Sequence, residues 1–217
     1  MATQMFEEGV NYVLLLSGGL DSTIMFYDLV QSNSKFRCVW IDYGQKNARQ
    51  EQKVVAELCS KHFVPLQSIF VPLVFKGVES TLLEGVSGAH SVASDEVLNR
   101  NAVLISIAAS HCVKQSTILV GAHKTGASYA DATPQFYTRM SKAIHWSTNS
   151  RVDVKAPYIK LTKRQIVNRA WDLAVTPEEI MQTVSCYEGR ACGVCPACIA
   201  RSRALEGTPF NNFFKSH

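Results

Sequence analysis

Leu16-Ser17-Gly18-Gly19-Leu20-Asp21-Ser22 joins two apolar stretches, Val10-Asn11-Tyr12-Val13-Leu14-Leu15-Leu16 before it and Thr23-Ile24-Met25-Phe26-Tyr27-Asp28-Leu29-Val30 after it. The first reads as a strand buried on both faces and the second as a helix. Two adjacent glycines let the backbone turn tightly and leave room for an anion beside main-chain amides. A helix starting near Asp21 or Ser22 points its positive end at the same place, and Ser17 and Ser22 add hydroxyl donors. The turn contains no lysine and no G-x-G-x-x-G, which excludes the Gly-Lys-Ser phosphate loop and the dinucleotide fingerprint. An ordinary glycine-rich turn is the bland alternative, but the Asp-Ser pair at the helix start favours phosphate.

Outward from this stretch, apolar runs at 36–41, 66–71, 117–120 and 152–156 read as further strands. Helical spacing at 48–62, 99–113 and 134–146 separates them. Strands alternating with helices predict a doubly wound five-stranded parallel α/β sheet. Thr162 with Gln165, and Thr176-Pro177 with Glu179, look like capping boxes that start two helices leading to the cysteines. Between residues 72 and 98 the periodicity fades, as in a lid or binding loop. The expected organisation is an α/β domain over 1–175 and a helical, cysteine-bearing segment over 176–217.

Composition narrows the class. With 217 residues, 47% hydrophobic and 18% charged, the chain has the make-up of a folded globular protein with a substantial core. Its net charge of +4 suits anionic substrates and lacks the dense basic clusters of an electrostatic nucleic-acid binder. The longest apolar candidate, 102–109, is far too short to span a bilayer, and Glu7 and Glu8 near the start do not resemble a secretory leader. The expectation is a cytoplasmic protein without a membrane partner.

Of seven cysteines, Cys186, Cys192, Cys195 and Cys198 form a cluster near the end. Paired thiolates across short turns converge on tetrahedral Zn²⁺ at roughly 2.3 Å. Four protein ligands leave no position for an activated water, so the zinc is expected to be structural. An iron–sulfur cluster uses the same ligand number and remains the alternative. His123 and His145 are assigned no role, because lone histidines usually satisfy a local hydrogen bond.

SGGLDS resembles the pyrophosphate loop of the N-type ATP pyrophosphatases, which cleave ATP between its α and β phosphates to adenylate a substrate. The match narrows when the remaining motifs are added: Asp42-Tyr43-Gly44-Gln45, Asn99-Arg100-Asn101, Tyr129-Ala130-Asp131, Leu161-Thr162-Lys163, and Thr183-Val184-Ser185-Cys186-Tyr187 before the other cysteines. Together they resemble the 7-cyano-7-deazaguanine synthases over nearly the whole chain. That resemblance implies an adenine-nucleotide-hydrolase-like fold and an AMP-forming carbon–nitrogen ligase of queuosine biosynthesis. ATP with Mg²⁺ would adenylate a 7-carboxy-7-deazaguanine carboxylate, ammonia would give the amide, and a second ATP would drive loss of the amide oxygen to the nitrile.

On the same resemblance, Leu16, Ser17, Gly18, Gly19, Leu20, Asp21, Ser22 and Thr23, with Asp42, Gly44 and Gln45, would bind ATP. Asp21, Ser22 and Lys163 would be catalytic, with Asp21 a candidate Mg²⁺ ligand, and Arg100, Asn101, Tyr129 and Asp131 would face the substrate. A homodimer is what the family implies.

The chain departs from the family pattern at three places. The spacer from Cys186 to Cys192 is shorter, Gln45-Lys46-Asn47 replaces Gln-Arg-His, and Ser128-Tyr129-Ala130-Asp131-Ala132-Thr133 replaces Gly-Tyr-Pro-Asp-Cys-Arg. The departures keep two alternatives open. One is a diverged relative that transfers the activated carboxylate to another amine, on a protein or nucleic acid; the other is a non-catalytic, zinc-stabilised nucleotide-binding module.

Overall fold

The computed structural model describes residues 5–124 and 129–211; Ser128 and the rest of 125–128, part of the expected substrate loop, lie outside the described residues. Five strands, β1 (Tyr12–Leu15), β2 (Phe36–Asp42), β3 (Leu66–Phe70), β4 (Ser116–Val120) and β5 (Val152–Lys155), form one parallel sheet in the order β3-β2-β1-β4-β5. The expected doubly wound α/β architecture is therefore present.

Alternation along β1 explains why its sequence is apolar throughout. Tyr12, Leu14 and Leu16 enter a core with Ile24 and Met25 of α1 (Leu20–Gln31), Val55 of α2 (Ala48–Lys61) and Ile166 of α5 (Lys163–Asp172). Val13 enters a second core with Val39, Ile118, Ile105 of α3 (Arg100–Ser110) and Ile144 of α4 (Pro134–Ser147). A strand covered on both faces has no polar side to display. Strand order reverses around β1, so a crevice opens at the carboxyl ends of β1 and its neighbours β2 and β4, the usual ligand position in such sheets.

A buried polar link sets α5 against α1. Asp28 of α1 accepts from the Tyr158 hydroxyl at 2.7 Å and from the Arg169 guanidinium of α5, with Nη2 at 2.6 Å from Oδ1. Both expected capping boxes are formed, at Thr162–Gln165 for α5 and Thr176–Glu179 for α6 (Pro177–Gln182). The first fixes where α5 begins, and hence where Lys163 sits.

The C-terminal part holds a helix the sequence reading missed. α7 (Pro196–Leu205) begins inside the cysteine cluster, with Cys195 as its N-cap and Pro196 at its first position. Ala204, Leu205 and Phe210 pack into the same core as Leu14.

The stretch over 72–98 contains no helix or strand, yet it is anchored. Gln45 and Leu83 form an antiparallel bridge, Ser80, Thr81, Leu82 and Leu83 are buried, and Leu82 reaches the crevice. Gly44 makes this packing possible. Its φ is +89°, and a Cβ there would stand 2.6 Å from the Pro72 carbonyl oxygen, so no other residue fits.

Candidate active site

The crevice is a cleft of about 370 Å³ lined by the turn after β1, the end of β2 and the start of α3. At its floor, the turn is ordered by its own hydroxyls. Ser17 Oγ lies 3.1 Å from Ser22 Oγ and accepts from the Gly19 amide at 3.3 Å, while Ser22 Oγ donates to the Gly19 carbonyl at 3.2 Å. No side chain caps the N-terminus of α1. Its first amides are left for an outside acceptor, which suits an anion. Gly18, at φ +71°, faces Val55, and a Cβ on Gly121 would stand 3.1 Å from the Ser22 amide nitrogen, so the end of β4 closes tightly over the helix start.

Asp21, on the first turn of α1, and Lys163, the first residue of α5, meet here: Lys163 Nζ lies 3.0 Å from Asp21 Oδ2. His123, beyond the end of β4, brings Nε2 to 3.7 Å from the same oxygen, and burial holds its imidazole below the ordinary value. Asp21 Oδ1 is buried and has no hydrogen-bond partner among the described residues. An unpaired carboxylate oxygen beside an uncapped helix start is a hard donor of the kind Mg²⁺ takes. The turn after β1, Asp21, Ser22 and Lys163 are thus brought together. Thr23 is buried just behind them, outside the lining of the cleft.

The other half of the cleft is aromatic and cationic. Arg100, at the start of α3, sets its guanidinium 5.9 Å from the centre of the Tyr43 ring, and Tyr129, Tyr137 and Tyr187 add to the wall. Asn101 also lines the cleft, but Asp131 does not. One Asp131 carboxylate oxygen accepts from the Asn101 amide at 2.8 Å and its carbonyl accepts from Asn101 Nδ2 at 2.9 Å. Asp131 therefore caps α3 from the substrate loop and positions Arg100. Thr133 is similarly engaged, accepting from the Phe136 amide as the N-cap of α4.

Asp42 and Gly44 build the turn beside the cleft: Asp42 Oδ1 accepts from the Gly44 amide at 2.9 Å, and neither lines the cavity. Gln45 does line it, but its amide is fully engaged, accepting from the Tyr43 amide at 2.8 Å and donating to Ile41 O at 3.2 Å and Glu51 Oε2 at 2.9 Å.

Glu51 of α2 is a cleft residue the sequence reading did not single out. Burial pushes its carboxyl up to about 7, against the hydrogen bonds from Gln45 and Trp40 that favour the charged form. The raised value means that the native state holds this proton between 4.5 and about 7 while the unfolded chain has released it. Stability is then fully present below the unfolded value and is lost as pH rises through the folded one. Between about pH 6 and about pH 8 the wild type is expected to lose roughly 1 kcal/mol more than Glu51→Gln, read by denaturant unfolding at the two pH values. Equal losses in the two proteins would refute it.

At the far rim the sulfurs of Cys186, Cys192, Cys195 and Cys198 all lie within 4.8 Å of one another, with Cys192 and Cys198 4.0 Å apart. Tetrahedral zinc bonded to four sulfurs requires sulfur separations of about 3.8 Å, so the group could hold a metal such as zinc after a small contraction. Backbone amides already favour thiolate character: Cys195 N donates to Cys192 Sγ at 3.3 Å and Cys198 N to Cys195 Sγ at 3.4 Å, and amides of this turn hold Cys192 down to about 6. The cluster is tied to the cleft. Val184 N donates to Gly18 O at 2.9 Å, Asn47 Nδ2 to Cys186 O at 3.3 Å, and Ser185 and Tyr187 line the cavity.

Known proteins give this arrangement a family. Residues 11–208 match the family described as queuosine biosynthesis protein QueC. The 7-cyano-7-deazaguanine synthase of Pyrococcus horikoshii is 33% identical, with 89% of this chain and 91% of that protein covered. That of Methanoregula boonei is 32% identical over 89% of this chain and 93% of its own length, and that of Desulfotalea psychrophila 29% identical over 91% and 94%. A family match over residues 11–208, with relatives above 30% identity along nearly their full length, makes the protein an enzyme of the QueC family.

Proposed function

We propose that the protein is an ATP-dependent, AMP-forming carbon–nitrogen ligase that converts 7-carboxy-7-deazaguanine and ammonia to 7-cyano-7-deazaguanine. The observation that carries this reading is the meeting of Asp21, Lys163 and the open N-terminus of α1 at one end of the cleft that Arg100 and the tyrosines line at the other. A carboxylate oxygen of the substrate attacks the α-phosphorus of ATP, and the bond to the β-phosphate breaks. The turn amides and Lys163 stabilise the charge gathering on the departing pyrophosphate. Arg100 and the aromatic wall hold the flat heterocycle, and exclusion of water by the wall protects the acyl adenylate. Ammonia then attacks the acyl carbon and AMP leaves. A second adenylation on the amide oxygen, followed by loss of AMP and a proton, gives the nitrile.

Mg²⁺ would enter with ATP, with Asp21 as its ligand, and would add Lewis-acid stabilisation of phosphate charge. Structural zinc, a cytoplasmic setting and a homodimer belong to the same reading. Incubation with ATP, Mg²⁺, carboxydeazaguanine and ammonium, followed by mass spectrometry, is expected to show the nitrile together with AMP and pyrophosphate. Amide accumulating without nitrile would refute this outcome.

One observation favours a second reading. Ala132 and Thr133 stand where the family pattern has a cysteine and an arginine, and Thr133 is engaged in capping α4. A loop so changed fits an enzyme that stops at the amide and uses an amine other than ammonia, on a protein or nucleic acid. Adding primary amines to the same assay separates the two, since this reading expects a substituted amide.

A further inference from the structure

Among the described residues, Asp21 and Glu51 are the carboxylates that line the cleft, and the phosphate chemistry uses only Asp21. Glu51 sits on the first turn of α2, its main-chain carbonyl close behind Gly18 of the phosphate turn. Trp40, Gln45 and Asn47 are the polar side chains that favour its charged form. Trp40 Nε1 donates to Oε2 at 3.3 Å and Gln45 Nε2 donates to the same oxygen at 2.9 Å. Both donors are fixed, Trp40 by burial and Gln45 by the Tyr43 amide and the Ile41 carbonyl. Two N–H groups fill the lone pairs of Oε2; the Asn47 amide can take at most one on Oε1, whose other lone pair stays on offer to the cleft.

An acid at this position is a cost to the fold. Glutamine would satisfy Trp40 and Gln45 equally well and carry no charge to desolvate. No Lys or Arg forms a salt bridge with Glu51 among the described residues. The Arg100 guanidinium favours its charge from a distance, yet burial outweighs it and raises the carboxyl, so the cost is offset only in part. What glutamate offers and a glutamine locked by the same donors does not is an acceptor turned toward the cleft. With its oxygen held by Trp40 and Gln45, a glutamine would present its NH₂ instead.

We propose that Glu51 is a specificity-determining residue that accepts a hydrogen bond from the exocyclic amino group of an aminated heterocycle bound in the cleft. The inference rests on the functional reading above for its ligands, because adenine of ATP and the aminopyrimidine edge of the deazaguanine share this chemistry. Direct binding to the full zinc-loaded chain, at about pH 8 where Glu51 is charged and Oε1 carries no proton, tells the two apart without turnover. One arm compares ATP with inosine triphosphate, which has a carbonyl in place of the amine. The other compares carboxydeazaguanine with its 2-deamino analogue.

In wild type the aminated member of one pair is expected to bind about tenfold to a hundredfold tighter than its partner. Glu51→Gln should bring that ratio near one, or invert it toward inosine triphosphate in the first arm, and leave the other arm unchanged. Glu51→Asp, which keeps an acceptor, should restore part of the preference; a purely structural Glu51 would not follow this pattern. Wild type that binds both natural ligands, with ratios that Glu51→Gln leaves untouched in both arms, overturns the inference alone. Failure of wild type to bind either natural ligand overturns the functional reading and this inference with it.

Discussion

Asp21→Asn is expected to lower formation of AMP and pyrophosphate by about 10²–10³-fold, with folding largely preserved. The carboxylate stands on the first turn of α1 with Lys163 Nζ 3.0 Å from Oδ2, while Oδ1 is buried without a partner among the described residues. Asparagine keeps the shape but removes the charge that would hold Mg²⁺ against the phosphates, and it leaves the Lys163 ammonium uncompensated in a half-closed cleft. The helix itself does not depend on this side chain, because α1 starts at Gly19 without a side-chain cap and is anchored by Leu20, Ile24 and Met25 in the core. Loss of the pair with Lys163 should therefore cost a few degrees of thermal midpoint at most. Pyrophosphate release and a melting curve on the same sample check both parts. Unchanged turnover would remove Asp21 from the mechanism, and an unfolded variant would remove the claim that its role is chemical.

The fold was legible because its strongest signals are local. β1 is buried on both faces, so its apolar run has no gaps, and the two capping boxes are hydrogen-bond patterns written within four residues of sequence. α7 was missed for the converse reason. Its first turn is made of cysteines and a proline, whose spacing reads as metal-binding turns, and its helical character depends on Cys195 acting as N-cap and on Leu205 and Ala204 reaching the distant core. Over 72–98 the order comes from contacts such as Gln45 with Leu83, which no periodicity within the stretch could announce.

The site divides in the same way. The strand-turn-helix geometry at 16–23 was readable because glycine conformation, helix start and hydroxyls all lie within eight residues. Lys163 could be named from its motif, but its meeting with Asp21 depends on α5 being fixed to α1 through Asp28, Tyr158 and Arg169. Asp131 shows the limit of motif reading. A carboxylate in a substrate loop suggests ligand contact, whereas here it caps α3 and so acts on the cleft through the position of Arg100. Glu51 and His123 gave no local signal, since only the folded chain turns one face of α2 and the end of β4 toward the phosphate turn.

Removal of zinc is expected to abolish activity through the cleft itself, although no cysteine touches it. Zinc binding by structural sites is coupled to folding free energy, with apparent values of about 10–16 kcal/mol in small domains. Here only part of that is at stake, because α7 also packs into the main core through Ala204 and Leu205. What the cluster holds most directly is the segment from Thr183 to Tyr187. Arg201 of α7 clamps this segment by donating to Ile180 O at 2.6 Å, Ser185 Oγ at 3.0 Å and the Thr183 hydroxyl. Val184 then reaches Gly18 O at 2.9 Å, and Ser185 and Tyr187 form cleft wall. Without a cation, burial pushes Cys186 up to about 12 and raises Cys195, so these sulfurs take protons and nothing bonds the four together; the metal-free cluster should open and release these contacts together. Chelation should remove one zinc per chain, lower the thermal midpoint by about 10 °C and cut adenylation at least about a hundredfold, with both effects reversed by added Zn²⁺. Cys195→Ser should reproduce the loss without reversal, because a neutral hydroxyl replaces the buried thiolate that also caps α7. Metal-free protein that keeps its midpoint and its turnover would show that the cysteines hold nothing the cleft depends on.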